Sequence, residues 1–311
     1  MKSLKFYSSP GKVTDLKDFR NLIEPLTDNP DYICQMVQGL LVHGGWLDRY
    51  GVEYRAERDV ENVSDMGLLL ERILDLNDSP LSFPRLPQDR VIASCREYAT
   101  LAVAIMRAKR IPARCRVGFA SYLGSNGEIE DHWIVEYWNG KRWILTDPQI
   151  DPTQLSFLQK LGHNTIILDD DTEIKCPYSI NPRFIKERYD FLNAATIWLT
   201  CRKGSFSPDK CGIGTHRGYW FIRGQVLRDF AALNKVETVP YLCRIEKGLD
   251  WSEWEYLGAE DKEISVNDFS NLDMIAFMGH NADYQYENIR KYYDKYEYLR
   301  VPESYYKRIK K

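Results

Sequence analysis

The sequence predicts an α+β fold in which N-terminal helices and a helix starting at Cys95 pack on an antiparallel sheet that contains a hairpin over 132–147. Three observations lead there. Apolar residues recur at helical spacing as far as about residue 109. The pattern switches to alternation from Arg114 onward. Two runs rich in Trp, Val, Ile and Tyr are then separated by Asn139-Gly140. With 311 residues, 44% of them hydrophobic and 28% charged, the chain is a globular protein able to bury a large core. Residues 1–175 read as this core. Residues 176–311 read as a mixed, partly helical region, either separate or packed on the core as part of one domain.

The first helix is expected over Pro30 to His43, with Pro30 at its first position, Ile33, Met36, Val37, Leu40 and Leu41 as its stripe and Gly44 as its stop. A second is expected from Ser64 to about Leu76, with Met66, Leu69, Leu70, Ile73 and Leu74 inward. Pro80, Pro84 and Pro87 break the chain into a loop that ends at the apolar Val91, Ile92 and Ala93. Ser94 and Glu97 then form a capping box, which puts Cys95 at the first position of a helix running to Lys109. That helix is apolar nearly all round, as a central core helix is. Arg114 to Tyr122 reads as a strand, followed by a turn at Gly124, Asn126 and Gly127. The hairpin strands are expected at His132 to Trp138 and Lys141 to Asp147. Further on, Gly204 to Gly218 reads as a loop and Tyr219 to Lys235 as a helix, with others after Asn267 and Asn281.

A formal net charge of -3, with basic residues scattered except at Lys307 to Lys311, gives no general attraction to nucleic acid or acidic membranes. No run approaches the length needed to span a bilayer, and no apolar leader follows Met1, so the cytoplasm is the expected location. Seven cysteines without regular spacing are expected to be reduced thiols. Cys201, Cys211, His216 and Cys243 lack the short ligand repeats of a zinc site, so neither metal nor cofactor is expected.

The chemistry concentrates in the hairpin and the helix start. If a two-residue turn pairs Trp138 with Lys141, His132 falls directly opposite Asp147, close enough for the carboxylate to hold one imidazole nitrogen. Cys95 at a helix N-terminus gains thiolate character from the helix dipole. Nucleophile, base and acid then follow in the order Cys95, His132, Asp147. Each has a plainer alternative: a buried inert thiol, a structural histidine, and an Asp-Pro turn starter. Gln88, seven residues before Cys95, is a weaker candidate for a second oxyanion donor, the alternative being loop surface. Trp133, Trp138 and Trp143 read as packing rather than as a substrate groove. His216, Arg217, Arg223 and Arg228 read as a solvated loop and helix face rather than as a receptor for an anionic group.

The stretch SCREYATLAVAIMRAKRIPARCRVGF, then DHWIVEYW, then KRWILTDPQID resembles the core of bacterial transglutaminase-like proteins over Val91 to Asp151. Ser94 departs from the small residue, often Gly, found before the cysteine in relatives. The resemblance implies a papain-like core with a capped catalytic helix on an antiparallel sheet. It also implies catalytic roles for Cys95, His132 and Asp147. The expected activity is acyl transfer on a protein, peptide or small amide through a Cys95 thioester, ending in transamidation or hydrolysis. The alternative is a binding or scaffolding protein that keeps the core without turnover.

Overall fold

The computed structural model describes residues 2–60, 63, 65–167, 173–177, 180–239 and 266–301. Within them the chain is α+β and forms two compact units, between which it passes several times. Unit 1 comprises Met1–Cys115, Trp133–Phe157 and Asn181–Ile185, and unit 2 comprises Arg116–His132, Leu158–Ile180 and Lys186–Lys311.

Unit 1 begins with the short helices α1 (Lys2–Tyr7) and α2 (Arg20–Ile23), followed by α3 (Pro30–Leu40), β1 (Leu41–His43), α4 (Leu47–Tyr50) and α5 (Met66–Leu76). Asn29 caps α3, its side chain accepting from Asp31 N and Tyr32 N. Helix α3 ends earlier than its pattern predicts. Leu41 to His43 leave it to pair in parallel with β2 (Val91–Ala93), a partner fifty residues away that the local helical spacing does not reveal. Asp65 caps α5 by accepting from Gly67 N and Leu68 N, so this helix starts at Met66; Ser64 lies outside the described residues.

Strand β2 feeds α6 (Cys95–Ala108), whose residues from Arg96 to Arg107 are all buried. It packs on α3, α5 and β2 within unit 1. Strand β3 (Ala113–Ala120) follows, and both it and β4 (Ile129–Trp138) run from one unit into the other. In unit 1, β4 pairs with β5 (Trp143–Thr146). Helix α7 (Pro152–Leu161) then leads out of unit 1.

In unit 2 the strand order is β10-β9-β4-β3-β8, built by β8 (Phe191–Asn193), β9 (Cys211–Ile213) and β10 (His216–Arg217) around the shared strands. Separately, β6 (His163–Ile167) pairs antiparallel with β7 (Glu173–Pro177). Thus the expected loop from Gly204 to Gly218 holds a short antiparallel pair, His216 opposite Ile213. The remaining helices among the described residues are α8 (Ala194–Arg202), α9 (Tyr219–Leu233), α10 (Val266–His280) and α11 (Ala282–Lys295), which pack together. Trp198 stacks on Phe269, with ring centroids 5.8 Å apart, and donates to Asp273 Oδ1 at 2.7 Å. Helix α9 is buried almost all round, so Arg223 and Arg228 lie at 0% exposure rather than on a solvated face. Deep in the same unit, Arg116 grips Asp229 through Nε and Nη2, at 3.0 and 2.9 Å.

Candidate active site

Cys95 is the first residue of α6 and is half-buried. Extended backbone at Ser94 (φ -102, ψ 174) turns the chain from β2 into the helix. The Glu97 carboxylate holds that turn, its Oε2 accepting from Ser94 N at 3.0 Å and from Ser94 Oγ at 2.6 Å. Its other oxygen pairs with Arg96 Nη1 at 2.8 Å, both side chains being 0% exposed. Burial pushes the Glu97 carboxyl above the usual carboxylate range, and the Arg96 charge and the Ser94 bonds pull it back. The thiol therefore sits at the positive end of a helix whose first turn is fixed by buried hydrogen bonds.

Asp147 is fully buried in unit 1, one residue beyond the paired stretch of β5. The hairpin register differs from the expected one. Trp138 pairs with Trp143, not Lys141, and Val135 with Thr146. The cause is the turn: Asn139 N donates to Arg142 O, and Gly140 has positive φ (95°) while Asn139 and Lys141 do not, so Gly140-Lys141 are the central residues instead of Asn139-Gly140. This register does not place Asp147 directly opposite His132, and the pairing ends at Val135 and Thr146, before either residue. Asp147 instead donates its N–H to Pro182 O at 2.7 Å and accepts at Oδ1 from Gln149 N at 2.8 Å. That second bond is the turn-capping role foreseen for an Asp-Pro pair.

His132 is the last residue of unit 2's share of β4, 1% exposed, with Tyr122 edge-on at 6.0 Å between ring centroids. The nucleophile and acid candidates are thus carried by unit 1 and the base candidate by unit 2. Gln88 is exposed in the middle of the 3-10 turn Pro87–Asp89, whose backbone is held by Arg58 Nη2 donating to Pro87 O at 2.7 Å.

Trp133 is fully buried, and Trp138 meets Trp143 edge-on at 5.8 Å with Arg114 over the Trp143 ring, so these rings pack as expected. His216 and Arg217 form β10, where Arg217 pairs with Glu128 at 3.0 Å. Cys201 and Cys211 are buried beside one another, burial raising the Cys211 thiol well above its ordinary range; Cys243 lies outside the described residues. Among the described residues, no group of three or more His, Cys, Asp and Glu is arranged to hold a metal ion.

Two residues beside the acid candidate were not foreseen. Arg183 Nη1 donates to Asp147 O at 3.3 Å and Nη2 to Gln38 Oε1 at 3.2 Å, while Gln38 Nε2 donates to Ile150 O at 3.0 Å. Neither residue belongs to a local motif, and Arg183 meets the hairpin only through a long-range fold contact.

Residues 77–148 match the family model of the transglutaminase-like superfamily. The match begins upstream of the resemblance read from the sequence and takes in the proline-rich loop before Cys95. Among solved structures, the chain is similar to one from Cytophaga hutchinsonii described as a "putative cysteine protease" (20% identity, 46% of this chain and 40% of that one, TM-score 0.29). It is also similar to red sea bream transglutaminase (13% identity, 73% of this chain and 36% of that one, TM-score 0.27). The chain therefore spans well under half the length of either. A search of curated proteins returns no match. Among the described residues no helix is long and apolar enough to cross a membrane.

Proposed function

We propose that the protein is a cysteine-dependent acyltransferase or hydrolase of amides, with Cys95 as nucleophile, His132 as base and Asp147 as the residue that orients the base. The observation that carries the reading is Cys95 itself: a half-buried thiol opening a buried, capped helix inside the stretch matched to the transglutaminase-like model. The Cys95 thiolate attacks the amide carbonyl, and the charge on oxygen is met by N–H groups of the helix start. His132, protonated, gives its proton to the leaving amine as the C–N bond breaks, which leaves a thioester on Cys95. Water then yields a carboxylic acid, or a second amine yields a new amide, and in either case the thiol is released. The substrate is a protein, a peptide or a small amide.

The test is to incubate the protein with glutamine-containing peptides, with and without a primary amine, and to look by mass spectrometry for an acyl group on Cys95. The reading predicts an adduct that Cys95→Ala lacks, in a variant that keeps its fold because a helix-start position tolerates alanine. Turnover that survives in Cys95→Ala would end the assignment of the nucleophile. A protein that binds such peptides but never acylates would be the non-catalytic scaffold.

A further inference from the structure

We infer that Arg183 is a positioning residue for the Asp147 carboxylate, acting within a five-residue strap, Asn181–Ile185, that closes over the end of β5. The inference rests on the triad reading above. Among the described residues after Phe157, the strap alone belongs to unit 1. It is hydrogen-bonded to the end of β5 at three points. Ile185 N donates to Leu145 O at 3.0 Å, Thr146 Oγ1 to Pro182 O at 2.9 Å, and Asp147 N to the same oxygen at 2.7 Å. Asp147 thus has strap contacts where a further β4 rung would be.

The guanidinium completes the hold. By donating to the Asp147 carbonyl it fixes the second peptide group of that residue, so both peptides flanking the Asp147 Cα are held by 182–183. Pro148 restricts Asp147 further, because a residue before proline is confined to extended backbone. Oδ1 is engaged by Gln149 N, which limits rotation of the carboxylate. The far end of the Arg183 fork is anchored on Gln38 Oε1, and Gln38 in turn holds Ile150 O, so the pair brackets 147–150 from both sides. A planar fork offers two donor nitrogens set apart to reach both acceptors, a geometry that a lysine ammonium, with its donors on one nitrogen, does not reproduce. A carboxylate orients an imidazole only while its own direction is fixed, and misplacement on the order of 1 Å lowers rates by up to about 100-fold.

The readout is the pH dependence of Cys95 alkylation by iodoacetamide, which needs no substrate. Arg183→Ala is expected to slow labelling at pH 6 about tenfold and to move the labelling midpoint to higher pH. Arg183→Lys should restore part of the rate. Gln38→Met, which removes the anchor together with the bond to Ile150 O but leaves the Arg183 bond to Asp147 O in place, should act in the same direction more weakly; with Arg183→Lys it carries the test should Arg183→Ala fail to fold. Because the effect runs through Asp147, Arg183→Ala should change nothing further in an Asp147→Asn background. Two results would overturn the inference while leaving the triad intact: wild-type labelling in the Arg183 and Gln38 variants when Asp147→Asn is slow, or an undiminished Arg183 effect in Asp147→Asn. If Asp147→Asn and His132→Ala both label like wild type, the triad reading itself fails and this inference with it.

Discussion

Glu97 joins two functions that substitution can separate. It accepts both Ser94 bonds that shape the turn before Cys95, and it is the anionic partner of a guanidinium with no exposure. Glu97→Gln keeps an acceptor for the turn but removes the charge. Taking one partner from a fully buried ion pair costs about 3 to 5 kcal/mol, because the other is left charged in a low dielectric. Arg96 keeps its bond to Val63 O, which argues for the lower end, about 3 kcal/mol. Glu97→Ala also loses the cap, adding about 1 kcal/mol. Urea unfolding followed by tryptophan fluorescence measures both, and with a slope of about 2 to 3 kcal/mol/M the Gln variant should lose about 1 to 1.5 M in midpoint. A Gln variant as stable as the wild type, alongside a weakened Ala variant, would refute the reasoning. It would mean that Glu97 is protonated in the folded protein, in the direction that burial pushes it.

Other perturbations follow from the same kind of argument. Gly39 sits in α3 where an added Cβ would lie 2.9 Å from both Cα and Cβ of Pro84, neither of which can swing away. Gly39→Ala should therefore destabilise by about 1 to 2 kcal/mol, against the gain of about 1 kcal/mol expected in an open helix, and thermal unfolding decides the sign. Leu101→Ala, at 0% exposure in α6, should cost about 2 to 5 kcal/mol in urea unfolding. Burial, then the Arg188 charge, lowers the pKa of His280, whose Nδ1 lies 2.9 Å from Thr196 Oγ1. A group depressed on folding gives stability that is present above its unfolded value of about 6.5 and lost as pH falls through its folded value. The melting temperature should therefore drop between pH 7.5 and 5.5, and less so in His280→Gln; equal drops would refute the assignment.

The elements that could be read from sequence were those coded locally. Ser94 and Glu97 lie three residues apart, so the start of α6 and the place of Cys95 on it were legible without knowledge of the fold. Strand β4 and its hairpin partner were legible from their aromatic and β-branched content. The register was not, because Asn-Gly can occupy either of two adjacent turn positions, and only the backbone at Gly140 chooses. Pairings between distant segments were invisible for a different reason. Nothing in Leu41 to His43 announces Val91 to Ala93, and nothing near Asp147 announces Pro182 and Arg183. Tertiary contact overrode helical spacing in the first case and supplied an unforeseen neighbour in the second. Helix α9 shows the same limit, since its Arg223 and Arg228 read as surface and are buried.

The central claim is that Cys95 is an activated thiol, and the most direct test is the rate at which each cysteine of the native protein reacts with iodoacetamide between pH 5 and 9, read by peptide mass spectrometry in wild type and in His132→Ala. Cys34 provides the internal reference: fully buried, with its pKa pushed up to about 11 chiefly by burial, it should stay unlabelled across that range. The account predicts rapid labelling of Cys95 already near pH 6 that slows when His132 is removed. Labelling of Cys95 no faster than that of an ordinary exposed thiol, or unchanged in His132→Ala, would contradict it.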